Sequence, residues 1–180
     1  MRRRRSAALA GIVVVFVVLV SGCATDAPAA TVPAATVAPT RTVTPSVNQT
    51  RAALVDALGG KNLILTDSQA PVRPAEAPLL AGAPRAVYQV TLPKDPDKGF
   101  IVVYEFPDTA GAAAAATEEQ AYLATGPGRV QTPQGTVTVI RQVGSTVVFY
   151  QWLPGAAKDP AAPGIESSLE SLGVGFPIAN

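Results

Sequence analysis

The cysteine and histidine content of this chain limits the chemistry open to it. Cys23 is the only cysteine among 180 residues, and the chain contains no histidine. Without histidine there is no Ser-His-Asp triad, and the commonest side-chain metal ligand is absent. Cys23 is the side chain best suited to form a covalent bond, because a thiolate is a strong nucleophile.

The segment before Cys23 is typical of an export signal. Residues 2–5 are four arginines, residues 6–20 carry no charge and are mainly apolar, and two small residues follow. A basic start, an apolar run and small residues at the cleavage point define a secretory signal peptide. An uncleaved signal anchor is the first alternative, since residues 6–25 barely reach the roughly 20 residues that a spanning helix needs. Plain secretion is the second, and all three predict an extracytoplasmic domain.

The four residues Val20-Ser21-Gly22-Cys23 resemble the lipobox of bacterial lipoproteins, which has an aliphatic residue, two small residues and cysteine. The resemblance implies a thioether-linked diacylglycerol on Cys23, cleavage between Gly22 and Cys23, and N-acylation by a fatty acid such as palmitate. Two or more acyl chains anchor stably, because each buried methylene adds about 0.8 kcal/mol of membrane affinity. We therefore expect a protein held by lipid at a bacterial cell membrane or cell envelope. No other cofactor is expected.

Charge argues against a nucleic-acid partner. Removing residues 1–22 takes four arginines from the 14 basic residues, which leaves 10 against 13 acidic residues and a net charge of −3. The remaining chain has no basic run of the kind that binds nucleic acid. Lipidation of Cys23 also leaves no thiol for a disulfide within one chain, so an apolar core must provide the stability.

Carboxylates offer the remaining route to catalysis or metal binding. Glu118 and Glu119 are neighbours on a predicted helix, about 100° apart, so they are expected not to converge and to lie at a solvated helix end. Residues 95–99 contain two aspartates, but the EF-hand glutamate position falls on Phe106, which favours a hairpin turn over a calcium loop. Residues 126–128 lack the lysine of a phosphate-binding loop. We therefore predict no catalytic residue, no metal site and no enzymatic activity.

Composition divides the chain into three parts: a signal peptide (1–22), the lipidated cysteine with a disordered tether (23–46), and a single domain (47–180). The tether is almost entirely Ala, Thr, Pro and Val without apolar periodicity, so it buries too little surface to offset its conformational entropy. Within the domain, a first helix around Leu54 and Leu58 and a short strand near 62–65 come before two hairpin–helix units. The hairpins are predicted at 86–106 and 136–153, with helices at 109–123, capped by Asp108, and at 165–172.

This order predicts an α+β fold of two layers, in which an antiparallel sheet of four to six strands carries helices on one face. The proline-rich segment 66–84 either hides an edge strand at 78–81 or is a functional loop. The motif Val102-Val103-Tyr104-Glu105-Phe106-x-Asp108 and the later Leu169-x-x-Leu172-Gly173 are similar to a group of small uncharacterised bacterial lipoproteins. The resemblance covers residues 50–176 and implies a fold but no activity.

Strand alternation divides the sheet residues into two faces. The heavier apolar face, which the helices should cover, is expected to carry Tyr88, Val90, Leu92, Val102, Tyr104, Phe106, Val148, Tyr150 and Trp152. The opposite face is the candidate partner surface: Val103, Glu105, Val139, Arg141, Phe149 and Gln151. Scattered valines on a solvated sheet also need no partner, so the two interpretations remain open.

The sequence thus favours a lipid-anchored, non-enzymatic module for binding or envelope assembly. Its expected partners are the membrane, through the lipid, and an envelope protein. The alternative is a small-ligand carrier with a pocket between the loop 66–84 and the sheet.

Overall fold

The computed structural model describes residues 44–178. The signal peptide, Cys23 and nearly all of the predicted tether lie outside the described residues, so these assignments stay predictions. The elements, in chain order, are α1 (Pro45–Gly59), β1 (Leu65–Asp67), α2 (Pro78–Gly82), β2 (Arg85–Val90), β3 (Phe100–Glu105), α3 (Thr109–Ala124), α4 (Gly126–Gln131), β4 (Val137–Val143), β5 (Thr146–Trp152), a 3-10 turn (Pro154–Ala156), α5 (Ala162–Glu170) and β6 (Val174–Gly175).

One antiparallel sheet organises the fold, with the strand order β1-β2-β3-β5-β4-β6. The β2–β3 and β4–β5 hairpins meet through the central pair β3–β5. Between β4 and β5, Val143 pairs with Thr146, so the loop has two residues. Gly144 lies in this loop at φ 60°, a left-handed conformation that glycine adopts without a steric cost. The α+β class and the antiparallel sheet are confirmed.

Helices cover both faces of the sheet, which corrects the expectation of two layers with helices on one face. The first core cluster joins α1 and α5 to one face through residues that include Leu54, Ile165, Ile101 and Tyr150. The second joins α2 and α3 to the opposite face. It contains Leu80, Val102, Tyr104, Ala112, Ala115, Ala116, Leu123, Ile140, Val147 and Phe149. The domain therefore has three layers, with the sheet in the middle.

The composition of β3 explains the double cover. Ile101, Val102, Val103 and Tyr104 are consecutive and each is 1% exposed or less. Successive side chains of a strand point to opposite faces, so a strand that buries four in a row must have packing partners on both sides. Small residues assist on the second face, because Ala112, Ala115 and Ala116 bring α3 close to the strands.

Local signals place several element ends. Asp108 caps α3 as predicted, and its Oδ1 accepts a hydrogen bond from the Gly111 amide at 2.7 Å. Helix α1 begins at Pro45 with Thr44 as its cap, so the last two residues of the predicted tether belong to the helix. The predicted edge strand at 78–81 is instead the short helix α2. No helix within residues 44–178 is long and apolar enough to cross a bilayer.

Candidate functional site

The predicted partner surface does not exist as one surface. Val103 and Val139 lie in the first core cluster, under α1 and α5, whereas Phe149 lies in the second, under α3. These three side chains are 0%, 6% and 2% exposed. The Arg141 guanidinium donates hydrogen bonds to the main-chain oxygens of Leu172 and Gly173. Glu105 and Gln151 are half-buried, on opposite faces of the sheet.

The error arises from the register between hairpins. Tyr88 pairs with Ile101, and Ile101 pairs with Tyr150, so Ile101 and Val103 share a face with the tyrosines. The sequence prediction had placed Val102, Tyr104 and Phe106 there. Alternation defines two sets of residues within a strand, but it does not say which set faces which side of the sheet. The expectation that Tyr150 and Trp152 point into a core is correct, since Tyr150 is 1% exposed and Trp152 packs on the first cluster.

A cleft of about 510 Å³ lies beside the first half of β4, and we call it the β4 cleft. Its walls come from the end of α3, α4 and the connection after it, β4 itself and the last described residues. They are Leu123, Ala124, Arg129, Thr132, Pro133, Gln134, Gly135, Thr136, Val137, Thr138 and Ile178. The lining is mainly polar, and among residues 44–178 it includes no carboxylate and one charged side chain, that of Arg129.

The β4 cleft contains a stretch of open strand edge. Strand β6 pairs only with Arg141 and Gln142, and the Phe176 amide donates to the Ile140 carbonyl. In a hairpin with a two-residue loop, hydrogen-bonded pairs alternate with pairs whose main-chain groups point outward. Counting from Val143–Thr146, the outward residues of β4 are Gln142, Ile140 and Thr138. By this alternation the main-chain groups of Thr138 point away from β5, and the pairing of β6 stops short of them at Arg141.

The chain that could continue β6 past Thr138 turns away instead. Pro177 has no amide hydrogen to donate, and its carbonyl accepts a hydrogen bond from the Gln120 side chain on α3. Phe176 and Ile178 pack against the second core cluster. The tail therefore leaves the sheet edge at Phe176, and Ile178 forms a wall of the cleft rather than its cover.

A pair of aspartates fixes two loops at one end of the domain. Asp95 accepts from the Lys158 and Asp159 amides, both at 2.7 Å. Asp159 in turn accepts from the Lys94 and Ala161 amides, both at 2.9 Å. These amide donors, that of Lys94 first, hold the pKa of Asp159 below its ordinary value. We call this set of contacts the aspartate clasp, and it confirms that residues 95–99 serve a hairpin loop.

The clasp forms one side of a second, shallower cleft of about 440 Å³. Trp152 lines it, and its indole donates to Glu166 at 2.9 Å, which fixes the ring. The other lining residues are Lys94, Pro154, Ala157, Lys158, Asp159, Pro160 and Pro163. Both Asp159 carboxylate oxygens already accept hydrogen bonds from main-chain amides. The charged side chains left in this cleft to contact a ligand are therefore Lys94 and Lys158.

Buried acidic side chains hold the segment before α2 on the second face. Glu76 accepts from the Tyr104 hydroxyl at 2.6 Å and from Arg85 at 2.7 Å, and its other oxygen lies 3.2 Å from Arg73. Burial and the hydrogen bond to Glu76 raise the pKa of Tyr104, so this hydroxyl stays protonated. The proline-rich segment is therefore attached directly to the sheet. Neither cleft described above includes any of residues 66–84.

The prediction for Glu118 and Glu119 is wrong, because both carboxylates reach the start of α2. Glu119 is 0% exposed, and its Oε2 accepts from the Ala77 amide at 2.6 Å. Its Oε1 has no hydrogen-bond partner within residues 44–178. Glu118 accepts from the Leu79 amide at 3.2 Å. Burial, and then the nearby charges of Glu76 and Glu118, raise the pKa of Glu119 to about 7.

The helical spacing could have located Glu119. It follows Ala115 and Ala116 by four and three residues and precedes Leu123 by four, which places it on the buried face of α3. Residues 44–178 contain no cluster of three or more acidic, histidine or cysteine side chains able to hold a metal ion. In comparisons with known proteins, no family model, no curated protein and no solved structure matches this chain.

Proposed function

We propose that this protein is a non-enzymatic binding module, anchored by lipid at Cys23 outside the cytoplasm, which takes an extended peptide segment of an envelope protein at the β4 cleft. The observation that carries the proposal is the open edge at Thr138 inside a cleft of about 510 Å³. An extended peptide that adds a strand to such an edge gains main-chain hydrogen bonds, and the neighbouring walls select its side chains.

Charge favours an acidic peptide. Arg129 is exposed and lies within ion-pair distance of no carboxylate among the described residues. Val130, next to it on α4, is 87% exposed. An unpaired guanidinium beside an exposed apolar side chain suits a segment that combines a carboxylate with an apolar residue.

Replacing Thr138 with proline tests the open edge. Proline removes the outward amide hydrogen, which β5 does not use, so the sheet should tolerate it as edge strands do. For acidic extended peptides selected from a displayed library, we expect at least a tenfold loss of affinity, measured by fluorescence anisotropy. Thr138→Val is the matched control, because it also loses the side-chain bond to Gln151 but keeps the main chain. Equal affinities of the two variants would place the peptide elsewhere.

Replacing Cys23 with alanine tests the anchor. Without the thiol no thioether to diacylglycerol can form, so we expect unprocessed precursor and complete loss of labelling by a fatty-acid probe. Ser21→Ala keeps a small residue before the cysteine and should be processed and labelled normally. The assay is metabolic labelling with mass spectrometry of the N-terminus. Label retained on the Cys23→Ala chain would refute the lipid anchor.

The small-ligand carrier stays the alternative proposal. Ala77 and Leu80 of the segment 66–84 are 0% and 1% exposed, and Leu80 packs in the second core cluster with residues of the sheet and α3. A ligand could enter between this segment and the sheet only if part of the segment moves away. Such a movement would break the hydrogen bond from the Ala77 amide to Glu119.

A further inference from the structure

Residues 77–83, which contain α2, form a short cover over the second face, and we call them the α2 flap. Both ends of the flap are fixed. Before it, Glu76 is bonded to Tyr104 and Arg85. After it, the Pro84 carbonyl accepts from the Glu105 amide at 2.9 Å. Between these points the flap inserts Leu80 into the core and touches α3 through the two acid–amide contacts.

The surroundings of Glu119 oppose a second negative charge beneath the flap. Glu76 faces it from the preceding segment and Glu118 from its own helix, and both are acidic. Tyr104 faces it from β3 as a neutral hydroxyl. The basic side chains of Arg73 and Arg85 are bonded to Glu76. One favourable contact supports the ionised form, the Ala77 amide on Oε2, while Oε1 has no partner within the described residues.

We infer that the α2 flap is a proton-sensitive cover, which opens from the second face of the sheet more often when Glu119 is ionised than when it is protonated. The charged carboxylate is poorly accommodated in the closed flap, because its Oε1 is buried and has no hydrogen-bond partner within residues 44–178, whereas bulk water solvates it once the flap lifts. The inference concerns a different set of contacts from peptide binding, since neither the α2 flap nor Glu118 nor Glu119 lines the β4 cleft.

The pH range follows from the direction of the shift. Burial raises the pKa of Glu119 from its ordinary value of 4.5 to about 7 in the closed state. Below the ordinary value both states are protonated, so pH has no effect. Between the two values the open state loses its proton first, so opening increases by about tenfold for each pH unit, and it levels off above pH 7. The chain has no histidine, so no imidazole titrates in the same interval.

Hydrogen exchange of the mature lipidated chain in detergent micelles tests this. Exchange of amides 79–83 is followed by mass spectrometry from pH 5 to pH 8 and corrected for the intrinsic pH dependence of exchange. We expect protection of the flap to fall by roughly 100-fold over this range, while amides of β3 and β5 keep theirs. Flap protection that does not change with pH overturns the inference.

Two variants assign the effect to one carboxyl. Glu119→Gln keeps a carbonyl acceptor for the Ala77 amide but cannot ionise, so its flap protection should be flat with pH. Glu118→Gln makes the same change at the neighbouring acid and should keep the wild-type slope. A wild-type slope in Glu119→Gln overturns the inference. If that variant does not fold, carboxyl-carbon NMR of the glutamate-labelled wild-type chain replaces it: one resonance titrating near pH 7 supports the inference, and none above pH 5.5 refutes it.

Discussion

Replacing Phe149 with alanine is expected to lower the free energy of unfolding by about 3–5 kcal/mol. The side chain is 2% exposed and lies in the second core cluster with Val102, Ile140 and Ala116. Truncation removes the transfer free energy of the ring and leaves a cavity between β5 and α3 that a packed sheet fills only in part. Urea unfolding of the chain without its signal residues, followed by circular dichroism, measures the change.

Gln151→Ala is the matched control for this prediction. Gln151 lies two residues along the same strand, on the same face, but is half-buried, and its amide bonds only the Thr138 side chain at 3.0 Å. Its loss should cost below about 1 kcal/mol. If Phe149→Ala were as mild as Gln151→Ala, the phenylalanine would have to lie on an open surface, as alternation alone had suggested.

Replacing Asp95 with alanine should cost about 2–4 kcal/mol, because the aspartate clasp loses its central acceptor. One oxygen of Asp95 receives two amides, those of Lys158 and Asp159. Hydrogen bonds to a charged group contribute about 1.5–3 kcal/mol each, and buried amides left without an acceptor add a desolvation cost. The same urea titration measures this loss of stability. The slope of the free energy of unfolding against urea concentration should not change.

Asp97→Ala controls for charge and loop composition. Asp97 lies two residues further in the same loop and is exposed, with no side-chain hydrogen bond to another described residue. Its removal should change stability by less than about 0.5 kcal/mol. Comparable losses for the two variants would mean that the clasp adds nothing beyond the loop's general charge.

Much of the secondary structure was predictable because its signals are local. Asp108 before an alanine-rich run predicts the start of α3, and Gly144 predicts the tight loop between β4 and β5. The number of layers was missed, although the uninterrupted apolar run in β3 carries the signal. Alternating apolar and polar residues indicate a strand that is buried on one face. A strand without polar positions indicates that other elements pack on both of its faces.

The candidate sites were harder to predict because they depend on contacts between distant residues. Whether Thr138 is open depends on a strand of two residues, β6, which begins only at Val174. The clasp joins Asp95 to amides 63 and 64 residues away, and no short motif marks such a pair. Glu119, in contrast, could have been predicted to be buried. Its spacing from Ala115 and Leu123 places it on the buried face of α3, and this spacing can be read from the sequence.

The central position of the β3–β5 pair has a kinetic consequence. Each hairpin can form early, because the strands of a hairpin are close in the chain. The β3–β5 ladder must instead bring together segments separated by roughly 40 residues, which include α3 and α4. Closing such a loop costs chain entropy before any of its contacts form, so topologies of this kind fold slowly. The rate-limiting event in folding should therefore be the docking of two preformed hairpins, and mutations at β3–β5 should slow refolding more than mutations in either turn.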